Sequence, residues 1–102
     1  MGIDAQPVGE VRRALEEFGD RYRRRLFTAA EVDACGGADA APARAAEGLA
    51  ARFAAKEATL KVLRVGETVP AWTDIEVVRE PGGWTSLRLT GTAERLALEA
   101  GL

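Results

Sequence analysis

The sequence predicts an α+β fold in which helices pack on a small antiparallel sheet. Apolar residues recur at helical spacing over roughly the first two thirds of the chain, whereas strand-like alternation is confined to residues 74–91, before a last helix. The length of 102 residues, with 47% hydrophobic content, suits one core without a change in composition that would divide it. We therefore expect residues 1–102 to form a single domain.

The first part of the chain predicts two helices. Apolar side chains at helical spacing indicate a helix from about Glu10 to Arg25, and its end carries the basic run "RYRRR" at residues 21–25. The apolar positions are Val11, Leu15, Phe18 and Tyr22. The segment "TAAE" at residues 28–31 has the spacing of a capping box and predicts a short second helix as far as Cys35.

The third predicted helix runs from about Pro42 to Leu63 and is rich in alanine, the strongest helix former. Proline suits the first turn of a helix because its missing N–H has no intrahelical partner there. An apolar stripe follows the helix at Leu49, Phe53, Leu60 and Leu63.

A hairpin and a final helix complete the predicted fold. Residues 74–80, "DIEVVRE", alternate as a strand does, and "PGG" at residues 81–83 supplies a turn. Residues 84–91, "WTSLRLTG", form the partner strand, and "TAERLALEAGL" at residues 92–102 predicts a helix capped by Thr92.

Composition excludes several classes of function. A net charge of −2, from 14 basic and 16 acidic residues, argues against the basic field of a nucleic-acid-binding protein. The sequence has no histidine, which rules out a histidine-based triad or a His/Cys zinc site within the chain. Cys35 is the single cysteine, as in reducing compartments, and no stretch approaches the length of a membrane span. We expect a cytoplasmic protein that binds neither nucleic acid nor membrane.

The stretch "RFAAKEATLK" at residues 52–61 sets charges beside the apolar stripe of the third helix. At about 100° per residue, Glu57 lies about 40° from Phe53, at the edge of the stripe. Lys61 follows Glu57 one turn later, whereas Arg52 and Lys56 are expected on the opposite flank. One explanation is an ordinary i,i+4 ion pair between Glu57 and Lys61.

The other explanation is a site for Mg²⁺ and phosphate. Mg²⁺ takes one or two protein carboxylates and completes its coordination with water and phosphate oxygens. Asp4, between a short apolar lead and a helix-breaking segment, is the best candidate for a carboxylate to accompany Glu57. The bases Arg52, Lys56 and Lys61 would then meet phosphate charge that the metal does not neutralise.

Four segments resemble the holo-acyl-carrier-protein synthase family in order and spacing. They are "GID" at residues 2–4, "FGDRYRRRLFT" at 18–28, "RFAAKEATLK" at 52–61 and "WTDIEVVREPGG" at 72–83 followed by "LRLTG" at 87–91. The resemblance implies a 4′-phosphopantetheinyl transferase-like fold and a Mg²⁺-dependent enzyme. Such an enzyme moves phosphopantetheine from coenzyme A to a serine of an apo acyl carrier protein in fatty acid or polyketide biosynthesis.

The resemblance also implies roles for individual residues. Asp4 and Glu57 correspond to the metal-binding carboxylates and, with Lys61, to the catalytic set, Lys61 contacting the phosphates and assisting the leaving group. Residues expected around the coenzyme A nucleotide are Arg52, Phe53, Lys56, Lys61 and Gly66, the last of these in a glycine-bearing turn.

Partners follow from the same resemblance. Arg21, Arg24 and Arg25 are expected to dock the acidic carrier protein, and the family forms homotrimers with active sites between subunits. The family also has a strand hairpin with a Ser-His motif after the last helix, which this sequence lacks. The alternative function is therefore that of a degenerate, non-catalytic relative that binds a carrier protein or coenzyme A.

Overall fold

The computed structural model of the chain describes residues 6–63 and 68–102 and confirms the α+β class. The described residues form five α-helices and a two-stranded antiparallel sheet. The helices are α1 (Gln6–Phe18), α2 (Asp20–Leu26), α3 (Ala29–Ala34), α4 (Pro42–Leu63) and α5 (Gly91–Glu99), and the strands are β1 (Ile75–Arg79) and β2 (Thr85–Leu89). No helix in this described part of the chain is long and apolar enough to cross a membrane.

The expectation of one helix from Glu10 to Arg25 is wrong, because Gly19 divides the segment into α1 and α2. Gly19 has φ 58°, a conformation that glycine adopts without the steric penalty other residues meet. Its N–H donates to the Leu15 carbonyl at 2.9 Å, and its own carbonyl accepts from the Tyr22 N–H at 3.1 Å. One residue thus closes α1 and begins α2, so the arginine run lies on a separate seven-residue helix.

The short helix α3 begins at the capping box that its sequence predicts. The Thr28 hydroxyl accepts from the Glu31 N–H at 3.2 Å, and the Glu31 carboxylate accepts from the Thr28 N–H at 2.9 Å. The reciprocal bonds satisfy donors that a helix N-terminus leaves unpaired. Helix α4 has the bounds predicted from Pro42 and the alanine-rich run.

The predicted hairpin is confirmed. Strands β1 and β2 pair antiparallel, with Ile75 opposite Leu89 and Glu76 opposite Arg88. The turn between them is closed by the Gly83 N–H, which donates to the Glu80 carbonyl at 2.9 Å, and Gly83 has φ 97°. Glycine is favoured there because a side chain would strain this backbone conformation.

Helix α5 begins earlier than its sequence suggests. Thr90, not Thr92, holds the N-cap position, and the helix starts at Gly91. Thr90 donates its backbone N–H at 2.9 Å to the carbonyl of Asp74, at the end of a 3₁₀ turn (Trp72–Asp74) that leads into β1. The start of α5 is therefore tied to the start of the hairpin.

The chain divides into two compact units, Met1–Ala54 and Ala55–Leu102, and α4 contributes to both. Whether they act as one domain stays a prediction. Buried apolar residues of the first unit are Val11, Leu15, Leu26, Phe27, Val32, Ala45, Ala46, Leu49 and Ala50. In the second unit the core is Leu60, Leu63, Ile75, Ala93, Leu96 and Ala97, with Trp72 and Leu89 packed against it.

Candidate functional site

Glu57 and Lys61 lie one turn apart on α4, and both side chains are exposed. Residues four apart on a helix are surface neighbours, so carboxylate and ammonium face the same side. Within the described contacts no ion pair joins them, and the ordinary i,i+4 pair is not formed. Glu57 therefore presents its carboxylate to solvent.

The second proposed metal ligand, Asp4, lies outside the described residues, as does Gly66 of the proposed nucleotide site. Among residues 6–63 and 68–102, no group of three His, Cys, Asp or Glu side chains is placed to hold a metal ion. The oxygen of Glu57 is nevertheless the donor type that Mg²⁺ prefers, and its exposure leaves room for water and phosphate in the other positions.

Lys56, the residue before Glu57, is not on a charged flank as expected, because its side chain is fully buried, with 0% exposure. Its Nζ donates to the backbone carbonyl of Trp72 at 3.0 Å. Adjacent residues point about 100° apart around a helix. The Lys56 side chain can therefore lie in the interior of the second unit while the Glu57 side chain faces water.

A signal for this burial is present in the periodicity of α4. Measured around the helix from Lys56, Leu49 and Leu63 lie about 20° to either side, and Leu60 lies about 40° away. Lys56 thus occupies the middle of the apolar stripe, where an aliphatic residue would be expected. Lysine side chains are usually exposed, so the residue type alone does not predict that this one is buried.

Arg52 is half-buried on α4 within the first unit. Its Nη1 donates to the Gly48 carbonyl at 3.1 Å, while its Nε is buried without a hydrogen-bond partner among the described contacts. Phe53, next to it, is half-buried. Arg52 therefore retains donor capacity that a phosphate oxygen would satisfy.

Cys35 is a packing residue beside this arginine. A Cβ atom placed on Gly48 would lie 2.8 Å from the Cys35 Sγ, so the thiol fills the space above a glycine of α4. Burial raises the pKa of the Cys35 thiol, Arg52 opposes that rise, and Glu31 adds to it. The neutral thiol is a poor nucleophile, as expected of a filler residue.

The arginines proposed to bind a carrier protein lie on α2. Arg21 and Arg25 are exposed, four residues apart, and they border an open groove of about 370 Å³. The apolar lining of the groove comes from Phe18, Tyr22 and Leu26. Phe18 is 52% exposed and is the last residue of α1, directly before the break at Gly19. The surface thus combines two cations with an apolar floor.

The other two arginines of the run have partners. Arg24 is exposed, and its Nε lies 2.9 Å from the Asp20 carboxylate. Arg23 is only 6% exposed, and its Nη2 donates to the Ala40 carbonyl at 2.9 Å. Only Arg21 and Arg25 are thus exposed without an ion pair in the described part of this helix.

Comparison with known proteins gives a consistent result. The family model described as the 4′-phosphopantetheinyl transferase superfamily matches residues 1–102. A holo-[acyl-carrier-protein] synthase of Desulforudis audaxviator is 43% identical over 102 residues, which cover 100% of this chain and 75% of the relative. The protein of that name from Methylobacterium radiotolerans is 46% identical over 95% of this chain and 70% of its own length. The Koribacter versatilis protein is 40% identical over 94% and 74%.

Proposed function

The chain belongs to the 4′-phosphopantetheinyl transferase superfamily, and we propose that it transfers 4′-phosphopantetheine from coenzyme A to a serine of an apo acyl carrier protein. The observation that carries the proposal is the exposed Glu57–Lys61 face of α4 in a chain whose relatives are holo-[acyl-carrier-protein] synthases. The carrier would serve fatty acid or polyketide biosynthesis in the cytoplasm.

In the proposed reaction the serine hydroxyl oxygen attacks the phosphorus that bears the pantetheine arm. A new P–O bond forms, the P–O bond to the adenylate part breaks, and adenosine 3′,5′-bisphosphate leaves while the serine proton passes to water. Negative charge grows on the departing phosphate, and Lys61 would stabilise it electrostatically.

Asp4 and Glu57 would hold Mg²⁺, which supplies charge neutralisation at the pyrophosphate. Arg52 would contribute its unpaired Nε to a phosphate oxygen, with Phe53 and Gly66 beside the nucleotide. Lys56 belongs to the same sequence motif, but its Nζ donates to a backbone carbonyl. It would therefore support the nucleotide site from the protein interior, without contacting coenzyme A itself.

The α2 groove supports the carrier protein as partner. Arg21 and Arg25 would attract an acidic helix, and an apolar side chain of that helix would fit between Phe18 and Leu26. Arg24 would contribute less, because Asp20 already compensates its charge.

We also propose that the chain assembles into a homotrimer with active sites between subunits. The second unit has an apolar groove of about 450 Å³, bordered by Leu63 and Leu89 among others. Large apolar residues exposed in this unit include Val62, Leu87, Leu98 and Leu102. Exposed apolar clusters of this kind mark interaction surfaces. Sedimentation equilibrium should give three times the 10.9 kDa chain mass, and a monomer would refute the assembly.

The test of function is direct. The purified chain is incubated with coenzyme A, Mg²⁺ and a set of apo carrier proteins, and intact carriers are weighed by mass spectrometry. We expect one carrier to gain a single phosphopantetheine group with the wild-type chain and none with Glu57→Gln. Tight coenzyme A binding without a mass gain on any carrier would instead identify a non-catalytic binding protein.

A further inference from the structure

We propose that Lys56 is a positioning residue, whose buried bond to the Trp72 carbonyl fixes the rotation of α4 and thereby the placement of Glu57 and Lys61. This inference rests on the proposed transferase function. It assigns Lys56 a task distinct from direct contact with coenzyme A.

The burial of Lys56 is the first step. Its side chain is 0% exposed and lies in the stripe that also contains Leu60 and Leu63. Removing an ammonium from water is unfavourable by several kcal/mol unless hydrogen bonds and charges compensate it. An aliphatic side chain of similar volume would fill the same space without that penalty. A cation at this position therefore contributes something other than packing.

The described contact that it adds is a hydrogen bond to a backbone atom outside α4. The acceptor, the Trp72 carbonyl, belongs to the first residue of the 3₁₀ turn that leads into β1. The Trp72 side chain packs against the core of the second unit. At the other end of the turn, the Asp74 carbonyl accepts from the Thr90 N–H at 2.9 Å. The turn is thus anchored to α4 at one end and to the start of α5 at the other.

The anchor determines which way the neighbouring charges point. Glu57 lies about 100° around α4 from Lys56, and Lys61 about 140°. A helix with side chains has a radius of about 5–6 Å, so a rotation of about 10° moves a surface group by about 1 Å. A displacement of about 1 Å at a reacting group lowers a rate by as much as about 100-fold. Apolar packing by itself tolerates a small rotation of the helix. A hydrogen bond added to that packing resists the rotation, because it weakens steeply when its angle changes.

Three variants distinguish a positioning role of Lys56 from direct phosphate binding and from a purely structural role. Lys56→Met removes the ammonium and keeps an unbranched side chain, whereas Lys56→Arg keeps a donor for the carbonyl. Arg95→Met is the matched control, since it replaces an exposed base that pairs within its own helix, with Glu99 at 3.5 Å. Each full-length variant is assayed for thermal unfolding, hydrogen exchange of the amides of residues 71–75, and transfer kinetics.

For Lys56→Met we expect unchanged or higher thermal stability, faster exchange over residues 71–75, and a kcat lower by about 10- to 100-fold. The KM for coenzyme A should stay within about twofold. Lys56→Arg should recover part of the exchange protection and part of kcat together, and Arg95→Met should behave as the wild type.

Other results overturn the inference. A large rise in the KM for coenzyme A with wild-type exchange would make Lys56 a direct phosphate ligand, and a lower stability with wild-type kcat would make it a purely structural residue. If Lys56→Met does not fold, Lys56→Arg decides: a kcat loss without faster exchange contradicts positioning, and parallel changes support it. A wild-type chain that transfers nothing refutes the proposed function, while the exchange data still test the Lys56–Trp72 anchor.

Discussion

The groove on α2 allows the proposed carrier interaction to be tested with three arginine-to-alanine variants. The substitutions are chemically the same, but they should differ in their effect on carrier binding. Arg21→Ala and Arg25→Ala each remove an exposed cation that has no ion pair among the described residues. Arg24→Ala removes a cation from the same helix whose Nε is 2.9 Å from the Asp20 carboxylate. If an acidic carrier binds the groove, the first two changes should weaken binding more than the third.

The expected magnitudes follow from exposure. An ion pair at a solvent-exposed site contributes up to about 1 kcal/mol, so the double variant Arg21→Ala/Arg25→Ala should lose roughly 1–2 kcal/mol. Since 1.4 kcal/mol corresponds to a factor of ten, the KM for the carrier should rise by about 5- to 30-fold. Arg24 is already compensated by Asp20, so Arg24→Ala should change the KM by no more than about twofold.

The assay measures transfer to apo carrier at saturating coenzyme A, at low and at moderate salt. The double variant should raise the KM for the carrier, leave kcat unchanged, and lose most of the salt dependence that the wild type shows. Equal effects of Arg24→Ala and Arg21→Ala would refute the reasoning. So would a KM increase in the double variant that leaves the salt dependence of the wild type intact.

Three further changes test other parts of the molecule. Glu57→Gln should lower transfer by at least about 100-fold with an unchanged thermal midpoint, because the carboxylate is exposed and is one of the two proposed Mg²⁺ ligands. Gly91→Ala should lower the unfolding free energy by roughly 1–2 kcal/mol, since Gly91 has φ 54° and the added Cβ would lie 3.1 Å from the Asp74 carboxylate; urea unfolding measures this. Burial raises the folded-state pKa of Cys35 above its ordinary value of 9.0, so the native state keeps its proton longer than the unfolded state does. Stability should therefore fall as pH rises above about 9, and Cys35→Ala should reduce that fall in thermal midpoints.

Those parts of the fold that follow local rules could be predicted from the sequence. The capping box fixed the start of α3, and the alanine-rich run gave the bounds of α4. The break at Gly19 could not be predicted with the same means, because Leu15, Phe18 and Tyr22 continue a helical period across it. A glycine inside a helix is unfavourable by only about 1 kcal/mol, so the pattern does not decide between continuation and a break. Phe18, exposed beside the arginines, is the residue directly before the break.

A basic side chain is buried where a backbone carbonyl accepts its hydrogen bond, and the sequence does not indicate which carbonyl that is. Arg23 and Lys56 are the buried bases among the described residues, one in each unit, and each donates to a backbone carbonyl outside the α-helices. The acceptors, on Ala40 and Trp72, lie 17 and 16 residues further along the chain. Every residue has a carbonyl, so residue types give no signal for which one will be the partner. Carbonyls of connecting segments, however, can accept a second donor, as the Trp72 carbonyl does beside the Ile75 N–H, and a long basic side chain can reach one from a neighbouring helix. A base within an apolar stripe is therefore best interpreted as an anchor for a nearby connection, and its neighbours on the helix as the groups that the anchor orients.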